Sequence, residues 1–144
     1  MIDQPVYPTE GLFKAADDEV GADVVDLGPG PSFAGVEARG LTPIEMATLG
    51  EVLGVAAYDD LADPMFAEER GGQSGECGVF PVLDSIRDAL AAATDLDGIA
   101  AKWAETDELR SWEPAEVRRV VRDASELART ACDEGRHLWI WWTL

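Results

Sequence analysis

Residues 114–144 constrain the fold of this chain more than any other stretch. Val117, Val120, Val121, Ala124, Leu127, Ala128 and Ala131 form a continuous apolar stripe, which predicts one long amphipathic helix from Pro114 to about Glu134. Pro114 suits the first position of a helix, and Gly135 is a C-terminal stop. Arg136-His137-Leu138-Trp139-Ile140-Trp141-Trp142-Thr143-Leu144 follows, and its aromatic and β-branched residues favour a strand. Leu138, Ile140, Trp142 and Leu144 would face one way, and Trp139, Trp141 and Thr143 the other. A strand apolar on both faces is usually covered on both, which makes it central in its sheet. The alternative is a face that awaits a partner, because Trp is enriched in binding hot spots.

The rest of the chain supplies short elements around that core. Residues 1–10, with Pro5 and Pro8, read as an irregular N-terminal arm. Strands are expected at Gly11–Ala16, Gly35–Arg39, near Met65–Glu69 and at Val79–Phe80. Asp17-Asp18-Glu19 opens a weak helical segment through about Val25, with carboxylates at the positive end of its dipole. Thr42-Pro43-Ile44-Glu45 is a capping box with proline at the first helical position. It starts a helix that Gly54 can end. Tyr58–Pro64 reads as an acidic connection. A further helix is expected from Pro81, with Val82, Leu83, Ile86 and Leu90 along one side, and another over about Leu96–Thr106. The expected architecture is one α+β domain over residues 1–144. It has a small, mostly antiparallel sheet packed with several helices, and a long C-terminal helix before a final Trp-rich strand.

Charge is the second constraint. The chain has 29 Asp and Glu against 11 Lys and Arg, a formal net of -18 over 144 residues. Residues 1–100 hold 20 acids and four bases (Lys14, Arg39, Arg70, Arg87), and residues 101–144 hold nine acids and seven bases. Such a field repels nucleic acid and anionic membrane and attracts basic partners. Organism-wide acidity for solubility accounts for the same numbers without any partner. The apolar runs are only a few residues long, so no membrane span is expected. Met1-Ile2-Asp3-Gln4-Pro5 lacks the features of a signal peptide, and a cytoplasmic location is the default expectation.

No residue pattern marks a catalyst, a cofactor or a metal. Cys77 and Cys132 read as free thiols without metal-ligand spacing. His137 is the single histidine, more often a structural side chain than a catalyst. With 29 acids, paired carboxylates carry no signal for glycosidase-type chemistry. Asp95-Leu96-Asp97-Gly98 hints at a calcium loop, but position 12 is Thr106 rather than Glu, so it reads as helix punctuation. Gly28-Pro29-Gly30-Pro31-Ser32 lacks the phosphate-loop pattern. Arg70–Gly78, RGGQSGECG, reads as a flexible connector between two strands. Trp112, before Pro114, is placed to act as a hydrophobic staple on the last helix.

Two segments resemble known proteins. LARTACDEGRHLWIWWTL (127–144) and GVEARGLTPIEMATLGEVLG (35–54) are similar in layout to small bacterial proteins that include the YfbM-like family. Small acidic proteins of this kind also resemble immunity proteins, which bind and block toxins delivered between bacteria. That resemblance implies a non-enzymatic inhibitor that neutralises a basic protein partner such as a toxin. The residues expected to meet the partner are Asp17, Asp18, Glu19, Asp59, Asp60, Glu68 and Glu69. Acidic groups there could occupy a cationic site and speed association by steering. The alternatives are a DNA mimic, a structural or assembly subunit, and, last, a small enzyme using the loop around Cys77.

Overall fold

The computed structural model describes residues 10–144; the expected irregular arm thus lies almost wholly outside the described residues. Five strands, β1 (Gly11–Ala15), β2 (Gly35–Glu37), β3 (Arg70–Gly71), β4 (Cys77–Pro81) and β5 (His137–Thr143), form one sheet in the order β2-β1-β5-β4-β3. All pairings are antiparallel. Among the described residues there are six α-helices: α1 (Ala22–Leu27), α2 (Pro43–Val52), α3 (Tyr58–Ala67), α4 (Asp84–Ala92), α5 (Leu96–Ala104) and α6 (Pro114–Glu134). This is the expected α+β architecture, ending in the long helix and the Trp-rich strand.

β5 occupies the centre, as its two apolar faces require. Leu12 of β1 pairs with Ile140, and Phe80 of β4 pairs with the same residue from the other side. Leu138 and Ile140 join a large core formed with α2 to α6, while Trp139 and Trp141 join a smaller core on the opposite face. α6 packs over β1, β2 and β5, α4 over β5, and α3 over β4. α1 covers β4 and β3 from the other side. Gly135 ends α6 with a left-handed φ of 67°, a conformation glycine adopts without steric cost.

The capping box of α2 forms as expected: Ile44 N donates to Thr42 Oγ1 (3.1 Å) and Thr42 N donates to Glu45 Oε1 (2.8 Å). Four local expectations are corrected. Met65–Glu69 is not a strand, and Tyr58–Pro64 is not a connection. Together they build α3 and its C-cap, Glu68. Leu61, Ala62 and Met65 are buried at i, i+1 and i+4, and that burial outweighs the poor helix propensity of Asp and Pro. Pro64 removes one helical bond, to the carbonyl of Asp60, on an exposed side where water can replace it. Pro81 closes β4 instead of opening a helix. Val82 N still reaches across to Leu138 O (2.9 Å), and α4 starts only at Asp84. The segment after β1 breaks at Gly21 into a 3-10 turn, Asp17–Glu19, and the six-residue α1. No helix of the described residues is long and apolar enough to cross a membrane.

Candidate functional site

The seven acidic residues singled out in the sequence fall into separate places. Asp17, Asp18 and Glu19 form the exposed 3-10 turn that follows β1. This group is partly committed to the fold. Ala16 N donates to Glu19 Oε1 (2.7 Å), Arg136 Nε approaches Glu19 (3.6 Å), and His137 Nε2 lies 3.7 Å from Asp17. Asp59 and Asp60 sit in the first turn of α3, and Glu68 and Glu69 at its other end. A ten-residue helix separates the two pairs by about 15 Å.

The α2–α3 region has a property the linear reading did not isolate. Residues 40–69 contain seven carboxylates and no Lys or Arg. None of the ion pairs among the described residues involves them. Those pairs use Asp17, Glu19, Asp84, Asp88, Asp107, Glu116, Asp123 and Glu134. Around α3, Asp59, Asp60 and Asp63 lie on the side opposite the buried Leu61 and Met65. Tyr58, at the head of this helix, is half-buried, and its backbone N–H is 3.4 Å from Glu51 Oε2. Burial pushes the Tyr58 hydroxyl above its ordinary pKa, and the nearby charges of Glu108, Asp59, Glu45 and Asp63 push it further. The charges of carboxylates on α2, α3 and the 3-10 turn Asp107–Leu109 are thus all felt at the Tyr58 hydroxyl. Tyr58, Asp63 and Glu108 are the members the sequence reading missed. Asp63 is i+4 from Asp59, a spacing with meaning only once residues 58–67 are helical.

The groups that could do chemistry are tied into the scaffold. Cys77 is buried in β4, and its Sγ is 3.4 Å from Val25 O. The loop before it is a tight hairpin between β3 and β4, closed by Gly72 N donating to Cys77 O (2.8 Å). His137 Nδ1 lies 2.7 Å from Asp84 Oδ1. Cys132 Sγ lies 3.4 Å from Asp88 Oδ1. Burial, then the bond to Asp88, raises the Cys132 pKa, so the thiol form is favoured. The Arg87 hydrogen bond holds Asp88 below the usual carboxylate range. Asp95 Oδ1 accepts from Gly98 N (3.1 Å) and caps α5, the punctuation role expected of the D-x-D-G stretch. Trp112 rests against Trp103 of α5, with ring centroids 6.2 Å apart. Among the described residues no group of three or more His, Cys, Asp or Glu side chains is placed to hold a metal ion.

Comparison with family models, curated proteins and solved structures finds no match to this chain.

Proposed function

We propose that this protein is a non-enzymatic acidic binding protein, an immunity-type inhibitor that neutralises a basic protein partner such as a toxin. The observation that carries the reading is the run of seven carboxylates over residues 40–69, with no Lys or Arg and, among the described residues, no ion pair, beside the half-buried Tyr58 at the head of α3. An aromatic side chain inside an acidic rim suits a partner that offers Lys or Arg. The ring supplies contact area and a cation–π face. The carboxylates supply steering, because long-range attraction raises association rates for cationic partners. Asp59 and Asp60 belong to this surface, together with Asp63 and Glu108. Asp17, Asp18 and Glu19 lie apart from it and act as a second, weaker contact at most.

The test uses the chain as bait in its native host, beside an Asp59→Lys/Asp60→Lys/Asp63→Lys variant. A basic protein retained by the first and lost by the second is the expected result. Adding the unaltered chain should also block that protein's activity stoichiometrically. Equal retention by both baits, or a captured protein whose activity the chain leaves untouched, would overturn the proposal.

A further inference from the structure

One imidazole stands where the two sides of the sheet meet, at the start of β5. His137 is the only histidine of the chain, and its two ring nitrogens face carboxylates from different elements. Nδ1 lies 2.7 Å from Oδ1 of Asp84, the first residue of α4. Nε2 lies 3.7 Å from Oδ1 of Asp17, the first residue of the 3-10 turn. α4 packs over β5 on the helical side, whereas the turn leads through Gly21 into α1, which covers the other side. The His137 side chain is 33% exposed, so protons reach it from solvent.

The donors and acceptors of the ring make these contacts depend on its charge. An ionised carboxylate only accepts, so the close contact with Asp84 places the hydrogen on Nδ1. In the neutral ring Nε2 is then a lone pair. It faces the Asp17 carboxylate, another acceptor, and cannot bond to it. The imidazolium donates from both nitrogens and holds Asp84 and Asp17 together. We propose that His137 is a proton-operated latch. Charged, it fastens the Asp17–Glu19 turn, and with it the α1 cover, to the start of β5. Neutral, it keeps Asp84 and releases the turn. The latch does not depend on the basic-partner reading, and the purified chain alone tests it.

The charged groups around the ring are shared among several elements. Arg87 Nη1 of α4 lies 3.4 Å from the same Asp84 oxygen, and Arg87 Nη2 lies 2.8 Å from Asp88. Arg136 approaches Glu19 of the turn and Glu134 of α6, each at 3.6 Å, and Lys14 of β1 lies 2.9 Å from Glu134. Asp17, Asp18, Glu19 and Asp84 favour a positive ring, and Arg87 and Arg136 oppose it. Carboxylates titrate near about pH 4, and lysine and arginine above about pH 10. Histidine is the side chain that changes charge between about pH 5 and 8. A contact made only by the protonated ring is present at the low end of that range and is lost as pH rises through it. The pair is partly exposed, so the turn should open about two- to fivefold more readily once the ring is neutral.

Amide hydrogen exchange read by NMR, with intrinsic rates corrected for pH, tests the proposal. The reporters are the N–H groups of Val20, Val25 and Gly28, which donate to Asp17 O (3.3 Å), Gly21 O (3.2 Å) and Val24 O (2.8 Å). Their protection should fall about two- to fivefold from about pH 5.5 to about pH 7.5, while that of α6 stays constant. His137→Gln should remove the pH dependence. Asp17→Asn should flatten or invert it, because the carboxamide can donate to the Nε2 lone pair of the neutral ring. Far-UV circular dichroism checks that both variants are folded. Wild-type protection that is equal at the two pH values would overturn the proposal. So would a pH dependence that persists in His137→Gln, or an Asp17→Asn profile that follows the wild type.

Discussion

Among the described residues, 26 buried residues form the core on the helical side of the sheet, and nine form the core on the other side. The two are also held differently. The helical side is closed by five helices whose many apolar residues interdigitate, a non-directional contact, and only a few polar bonds, such as Trp103 Nε1 to Glu45 O (3.2 Å) and Thr48 Oγ1 (3.1 Å), supplement it. The opposite side has the six-residue α1 and a few turns, and its large residues are fixed by directional bonds. Trp139 Nε1 donates to Ala15 O (3.2 Å) and Trp141 Nε1 to Val25 O (2.9 Å). The Arg70 guanidinium lies 5.1 Å from the Trp139 ring centroid and donates to Val20 O (2.9 Å). A thin cover cannot rely on burial alone, so it depends on a few polar contacts to hold its tryptophans in one arrangement.

The comparison breaks hardest with Phe80→Ala. Phe80 is fully buried on the helical side of β4, and its truncation should cost about 3–5 kcal/mol in chemical denaturation. On the thin side, Trp141→Phe keeps most of the ring and loses the bond to Val25 O. The expected loss is smaller, about 1–2 kcal/mol. It should also be local: hydrogen exchange should quicken in α1 and hardly change in α6. Uniform loosening of both sides would show that the two cores do not differ in this way.

The smallest expected effect concerns the exposed ion pairs beside α6, one within α4 and one between α6 and β1. Asp88 has its pKa lowered chiefly by the Arg87 hydrogen bond, and Glu134 by the Lys14 hydrogen bond. A carboxylate with a lowered folded pKa contributes stability above its unfolded value, near pH 4, and loses it as pH falls through the folded value. Asp88→Asn should therefore cost about 0.5 kcal/mol at neutral pH, the scale of a solvent-screened pair. The cost should fade as pH falls through the lowered folded pKa of Asp88, where the wild-type carboxylate is itself protonated. Denaturation at several pH values reads this directly, and a cost that persists in acid would remove the ionic account.

How much of this was legible in the sequence depended on whether local signals agreed with tertiary burial. α6, the capping box of α2 and the double-faced β5 were readable because period, caps and composition point the same way in each. Residues 58–69 were misread because Asp59, Asp60, Asp63 and Pro64 all disfavour a helix locally. Only the pocket that receives Leu61, Ala62 and Met65 decides the matter, and that pocket comes from distant elements. The candidate surface shared this fate. Asp59 and Asp60 stood out as a pair, but Glu108 joins them from 48 positions away, and no spacing rule links them. The asymmetry between the sheet faces was invisible for a related reason. The alternation in β5 shows that both faces are covered but not how thickly.

The strand order β2-β1-β5-β4-β3 has a consequence for synthesis. β1 and β4 never touch as neighbours; each pairs with β5, and Gly11 meets Trp141 across 130 positions of chain. During translation, the β1–β2 pair and the β3–β4 hairpin emerge long before the strand that joins them. Until residues 137–143 leave the ribosome, each pair exposes an open edge beside apolar surface. Such long-range closure is slow, and edges left open in the meantime recruit other chains. Completion of this sheet is therefore a late, single event, and ribosome-stalled chains lacking β5 should be the species most prone to aggregate.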